Sequence, residues 1–252
     1  LLEITNLTHI YDGRVQALQG VRLTVEAGQF VVVIGLSGSG KSTLLRCINR
    51  LVEPTQGRIV YDGVDITAAS PEELRLIRRR IGMVFQHFNL VKRSSVLSNV
   101  MAGRLGYVNS WSSILHRFPS EEYERAMPAL TRVGIPEKAY ARADELSGGQ
   151  QQRVGIARAL MQEPEMVLAD EPVSALDPAT SHSILRYLEQ MNRENGITVI
   201  CSLHFLDLAR RYGTRIVALK AGRVIFDGTP DEIDRRRFKE IYGEEAEEVG
   251  VV

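Results

Sequence analysis

Phe30-Val31-Val32-Val33-Ile34 runs directly into Gly35-Leu36-Ser37-Gly38-Ser39-Gly40-Lys41-Ser42-Thr43, and Leu44-Leu45-Arg46-Cys47-Ile48 follows. The first five residues are apolar and largely β-branched, which suits a strand buried on both faces. The last five have a helical pattern. Between them, Gly35 to Ser42 fits G-x-x-x-x-G-K-[ST] in full. Glycines at those positions let consecutive backbone N–H groups turn toward one anion, and the helix N-terminus adds its positive dipole end. In such a cradle Lys41 reaches the β- and γ-phosphates of a nucleotide, and the Ser42 hydroxyl ligates Mg²⁺.

The same grammar recurs along the chain. Ile81-Gly82-Met83-Val84-Phe85 ends at Gln86, Met166-Val167-Leu168-Ala169 ends at Asp170-Glu171, and Ile197 to Leu203 ends at His204. Short apolar strands separated by long, helix-patterned connections argue for a parallel sheet. Ligands of open parallel sheets sit outside the carboxyl ends of the strands. Lys41, Gln86, Glu171 and His204 are therefore expected at one edge. Asp170 suits a water-mediated contact to Mg²⁺. Glu171, beside it but aimed differently, is expected to serve as general base.

The flanks read differently. Arg215 to Lys220, then Ala221-Gly222, then Arg223 to Phe226 predicts a hairpin, and Gly57 to Tyr61 before Asp62-Gly63 predicts another strand and turn. Residues 87–165 have a helical composition, with Glu121 to Val133 the clearest amphipathic stretch. The expectation is one domain over 1–252, an α/β core with a mostly parallel sheet and a helical insert at about 87–165.

Composition narrows the function. With 31 basic and 31 acidic residues the formal charge is zero, which removes any overall electrostatic drive toward nucleic acid or a lipid surface. The 44% hydrophobic content excludes disorder as the main state. The runs Arg78 to Arg80 and Arg235 to Arg237 adjoin acids and read as solvated helix faces. No stretch approaches the roughly 20 apolar residues that cross a bilayer, and no basic-then-apolar leader is visible. The chain begins Leu1-Leu2 without Met, so a few residues are expected to precede it. Cys47 and Cys201 match no metal or redox spacing and read as buried free thiols, pointing to a reducing cytoplasm. The acidic tail from Glu244 to Glu248 is expected to fray.

Leu146-Ser147-Gly148-Gly149-Gln150 completes a set. Together with Gly35 to Ser42, Gln86, Met166 to Glu171, Ser174-Ala175-Leu176-Asp177 and His204, in that family's order, it resembles the ATP-binding cassette ATPases over nearly the whole chain. The resemblance implies a P-loop NTPase core, an N-terminal antiparallel β subdomain and an inserted α-helical subdomain. It further implies ATP and Mg²⁺ as cofactors, with Gly35 to Thr43 binding nucleotide and Tyr11 stacking on adenine. Ser42, Gln86 and Asp170 would hold the metal, and Glu171, His204 and Gln86 would carry hydrolysis. Ser147 can cap a helix expected to start near Gln151, with Val154, Ala157 and Met161 on its buried face. Gly148 and Gly149 then leave N–H groups open to a phosphate. By family likeness that phosphate belongs to a second copy of the chain, so that two copies sandwich two ATP molecules, with Ala175 and Asp177 in the D-loop between them.

A closer likeness lies in His87 to Val96, Gly103-Arg104-Leu105-Gly106-Tyr107, Trp111, Arg117-Phe118-Pro119, Gly222 to Pro230 and Ile241-Tyr242-Gly243. These resemble the ATP-binding subunits of phosphonate importers, a pattern shared with importers of phosphite and related oxyanions. That likeness implies a membrane permease, contacted through Phe88 to Ser98, and indirectly an extracytoplasmic solute-binding protein. The expected location is the cytoplasmic face of the inner membrane. Phe88, Leu90 and Val91 read equally well as core. Three alternatives stay open: an importer for a different small solute, a soluble cassette ATPase remodelling a phosphonate-degrading complex, and a nucleic-acid- or ribosome-associated ATPase. The last calls for a basic surface, fused cassettes or a coiled-coil insertion, none of which the sequence has.

Overall fold

Alternation within the first quoted run sets the layers of the molecule. In the computed structural model, which describes residues 2–107 and 119–244, Phe30–Ile34 is strand β3 and every residue of it is buried. Phe30, Val32 and Ile34 face one apolar cluster, while Val31 and Val33 face another. A strand covered on both faces must be apolar at every position, which is what the run provides. Trp111, Arg117 and Phe118, and the acidic run beyond Glu244, lie outside the described residues.

Strand β3 is the hub of a six-stranded sheet ordered β10-β9-β3-β8-β7-β6, with β6 Ile81–Val84, β7 Met166–Ala169, β8 Thr198–Ser202, β9 Arg215–Lys220 and β10 Arg223–Gly228. β3 runs parallel to β8 and β9, β7 runs parallel to β6 and β8, and β10 returns antiparallel. The β9–β10 hairpin turns at Ala221-Gly222, both with positive φ (47° and 76°), the geometry of a two-residue primed turn.

A second, antiparallel sheet is ordered β2-β1-β4-β5, from β1 Leu2–Tyr11, β2 Val15–Val25, β4 Gln56–Tyr61 and β5 Val64–Asp65. Together with helices α1 Lys41–Ile48 and α2 Pro71–Arg80 it covers the Val31/Val33 face. Helices α3 Val96–Met101, α4 Ser120–Arg132 and α5 Gly148–Leu160 fill the connection from β6 to β7. With α6 Pro178–Asn195, α7 Leu206–Tyr212 and α8 Arg235–Tyr242 they contribute to the opposite cluster. Within this helical part Arg104 and Glu122, each about nine-tenths buried, pair at 2.9 Å, with the guanidinium 3.7 Å above the Tyr107 ring. A buried pair of this kind depends on both partners being present.

Two expectations need correction. Helix α5 starts at Gly148 and not near Gln151, because Ser147 and Gln150 form a reciprocal capping box that draws both glycines into the first turn. The Arg78 to Arg80 run is no solvated face. Arg78 donates to the Asn49 and Arg50 carbonyls, Arg79 to the Gly106 carbonyl 2.8 Å away, and Arg80 to Glu165 and Asp62. The last turn of α2 lies beside the end of α1 and the turn at Gly106, whose carbonyls accept from Arg78 and Arg79, and beside two carboxylates that pair with Arg80. Arg235 to Arg237 on α8 are exposed, as expected.

Cys47 and Cys201 are fully buried free thiols. Among the described residues no helix is long and apolar enough to cross a membrane.

Candidate active site

The strand order places the carboxyl ends of β3, β8, β7 and β6 side by side, and the motif residues follow those ends. Beyond β3 the chain turns through Gly35 to Gly40 into α1, with Gly40 at the N-cap in the left-handed region (φ 106°). A Cβ at Gly40 would lie 2.5 Å from the Ala17 carbonyl oxygen of β2, so both the dihedral and the neighbouring strand demand glycine. The loop is further tied down by the Gly222 N–H, which donates to the Ser39 carbonyl at 3.0 Å. The Ser39 hydroxyl is buried without a hydrogen-bond partner.

Lys41 is buried beneath this loop. Its ammonium donates to the carbonyls of Gly35 (2.8 Å) and Leu36 (3.2 Å) and lies 3.7 Å from Glu171 Oε1. Burial pulls its pKa below the ordinary lysine value, against the raising pull of Glu171 and Asp170.

The two acids after β7 do separate. Asp170 is fully buried, accepts from the Ser202 hydroxyl at 3.3 Å and pairs with Arg46 at 3.2 Å. Glu171 takes a left-handed backbone (φ 47°), its N–H donating to Ser202 Oγ at 2.8 Å. That turn sends its carboxylate elsewhere, to His204, whose Nε2 is 2.7 Å from Glu171 Oε1. Gln86, after β6, donates through its amide to Ser174 Oγ at 3.2 Å, and Ser174 in turn donates to the Glu171 carbonyl at 3.2 Å.

Tyr11 stands at the end of β1, its hydroxyl 3.3 Å from Thr43 Oγ1 and its ring edge-on to His9 at 4.3 Å. A cavity of about 290 Å³ is lined by Tyr11, Gly38, Gly40, Lys41, Ser42, Thr43 and Glu171, among others. A wider hollow of about 490 Å³ lies on the helical side, lined by α4 and the end of α5. None of the motif residues lines that hollow, whereas Lys41, Ser42 and Glu171 line the smaller one.

Ser147 to Gln150 and the pair Ala175 and Asp177 do not line that cavity. Asp177 caps α6 by accepting from the Thr180 N–H at 3.0 Å. A Cβ at Gly149 would meet Thr180 Cγ2 at 2.5 Å, so this glycine lies close against the first turn of α6. The first turn of α5 thus stands apart from the cavity lined by Lys41 and Ser42.

The segment after Gln86 divides. Val91 is 62% exposed, Leu90 packs on the core, and Phe88 is half-buried with φ 57°. Arg158 of α5 donates to the Phe88 and Asn89 carbonyls at 2.9 and 2.6 Å, linking the signature helix to this segment.

The comparisons with known proteins agree with this geometry. The family profile described as ABC transporter matches residues 18–174. The chain belongs to the ABC transporter family. As a cassette of that family it is an ATP-binding, ATP-hydrolysing chain. It is 54% identical over 248 residues to the "Phosphonates import ATP-binding protein PhnC" of Shouchella clausii, covering 98% of this chain and 93% of that protein. To the protein of the same name from Bdellovibrio bacteriovorus it is 55% identical over 250 residues, covering 99% and 96%. Among solved structures, the dimeric bacterial ABC transporter cassette MJ0796 superposes with a TM-score of 0.82 at 37% identity, covering 91% of this chain and 99% of that one.

Sequence reasoning missed Ser202 and Arg46 in this cassette, which bond to Glu171 and Asp170. Each acts through a hydrogen bond to a motif residue, and neither spacing nor residue type distinguishes such a serine or arginine from its neighbours.

Proposed function

We propose that this chain is the ATP-hydrolysing subunit of an importer for phosphonates or related phosphorus oxyanions. The observation that carries the reading is identity above one half, across nearly the full length, to proteins named for phosphonate import. The site supplies the chemistry such a subunit needs.

In this reading Gly35 to Thr43 hold the phosphates, Lys41 leaves its loop carbonyls for the β- and γ-phosphates, and Tyr11 stacks on adenine. The unpaired Ser39 hydroxyl supports an anionic ligand there, because a buried hydroxyl left unbonded is costly. Glu171 accepts a proton from the attacking water. His204, hydrogen-bonded to its carboxylate, holds that base in place.

A Mg²⁺ ion fits the donor set. The Ser42 hydroxyl, the Gln86 amide oxygen and the Asp170 carboxylate are hard oxygen donors, and Mg²⁺ is commonly held by one or two carboxylates together with substrate phosphates. When bound, the ion neutralises charge on the β- and γ-phosphates.

Dimeric relatives support a homodimer in which Ser147 to Gln150 of one copy close on the ATP of the other, with Ala175 and Asp177 at the seam. ATP shifts the population toward that closed form by binding it more tightly than the open one. The exposed Val91, with Phe88 to Ser98 around it, is the surface assigned to a membrane permease, Leu90 serving as its anchor in the core. The chain then works as a peripheral subunit on the cytoplasmic face of the inner membrane, and a solute-binding protein delivers cargo on the other side.

Affinity capture of Glu171→Gln with ATP from solubilised source membranes tests this. Recovery of a polytopic membrane protein at stoichiometric level is expected. Recovery of soluble phosphonate-degrading proteins without any permease would overturn the transport reading.

A further inference from the structure

Ile241-Tyr242-Gly243 stands at the end of the last helix, α8, far in sequence from every motif of the site. Its tyrosine nevertheless reaches that site. The Tyr242 hydroxyl donates to the backbone carbonyl of His204 at 3.1 Å.

His204 lies in the short link between β8 and α7, and this link has few local restraints. Phe205, the N-cap of α7, gives no side-chain cap. On one side the Leu203 N–H donates to the Val33 carbonyl of β3 at 3.0 Å. On the other, Tyr242 holds the carbonyl of His204 itself. The donor is well anchored. Its ring packs against Phe238 at 4.9 Å, Phe238 and Ile241 are buried, and Lys220 of β9 donates to the Glu240 carbonyl at 2.5 Å.

A hydrogen bond from a fixed helix to the backbone of a loop residue limits where that residue's side chain can go. Displacement by about 1 Å in a reacting constellation can lower a rate by two orders of magnitude. We propose that Tyr242 is a positioning residue for ATP hydrolysis: its hydroxyl holds the His204 backbone so that the imidazole stays on Glu171. The role rests on the reading of Glu171 and His204 given above, and it ties the C-terminal helix to the γ-phosphate end of the site.

The test is Tyr242→Phe in the full chain, which keeps the ring on Phe238 and removes one hydroxyl. Steady-state ATPase kinetics and thermal unfolding are recorded beside Glu171→Gln and His204→Ala. The expected result is a fall in kcat of about three- to tenfold with KM for ATP and the unfolding temperature unchanged. Wild-type kcat in Tyr242→Phe, with the two reference variants inactive, would overturn the Tyr242 role and leave the site reading standing. A joint loss of kcat, ATP affinity and thermal stability would also overturn it, by showing that the hydroxyl only supports the fold. Wild-type hydrolysis by Glu171→Gln would overturn the site reading, and the Tyr242 role with it.

Discussion

His204 Nε2 lies 2.7 Å from Glu171 Oε1, and Lys41 Nζ lies 3.7 Å from the same oxygen. One carboxylate oxygen thus meets both the histidine that follows β8 and the lysine that follows β3. Glu171 helps to hold the lysine of the phosphate-binding loop motif. Two partners on one carboxylate oxygen also keep that carboxylate in one orientation.

Glu171→Gln keeps the shape of that side chain and removes its basicity. ATP turnover is expected to fall by about 10²–10⁴-fold, the range for loss of a positioned base. Nucleotide binding should persist and a dimer should accumulate, as seen by size-exclusion chromatography with ATP. Wild-type turnover would remove Glu171 from the role of base.

Ser147→Arg addresses the signature. The new side chain is bulky at a helix N-terminus that stands apart from the cavity lined by Lys41 and Ser42, so the monomer should bind ATP with unchanged affinity while turnover by the dimer is blocked. Loss of the capping box also destabilises α5 by about 1 kcal/mol. Undiminished hydrolysis would exclude the head-to-tail sandwich.

Gly103→Ala tests packing in the helical part. A Cβ there would lie 2.2 Å from the Arg158 carbonyl oxygen and 2.9 Å from Met161 Cβ. Forcing an extra carbon against backbone at that distance is expected to destabilise the chain by about 1–3 kcal/mol. Urea denaturation measures it, and a shift below a few tenths of that range would contradict the close approach.

Alkaline stability follows from the thiols. Burial, with Glu53 adding to it, pushes Cys47 up to about 12, whereas an unfolded thiol titrates near about 8.5. A folded pKa raised above the unfolded value gives stability that is fully present below about 8.5 and is lost as pH rises toward 12. Burial and Asp170 push Cys201 in the same direction. The urea midpoint should therefore fall between pH 9 and 11, and Cys47→Ala should flatten that slope even if it lowers the midpoint throughout. An unchanged slope in the variant would show that Cys47 does not contribute.

Much of this site could be read from residues adjacent in the chain. Strand β3, the cradle from Gly35 to Thr43 and the acids after β7 are local patterns: apolar residues must be buried, and glycines must turn where the helix begins. The hairpin at Ala221-Gly222 and the amphipathic helix near Glu121 to Val133 were legible for the same reason. The β1–β2 hairpin carries a signal as well, Asp12-Gly13 between its two strands, both with positive φ.

Sequence alone determined that four strand ends each deliver a polar group, because apolar runs and their polar ends are properties of single segments. Tertiary structure decided the order β3-β8-β7-β6 that makes those ends neighbours. It also decided that Gly149 lies close against Thr180, that Arg78 and Arg79 serve carbonyls and Arg80 carboxylates of other segments, and that Tyr242 reaches His204. These are contacts between residues far apart in the chain. A side chain's type states which bonds it can make, and only the path of the folded backbone selects the partner that receives them.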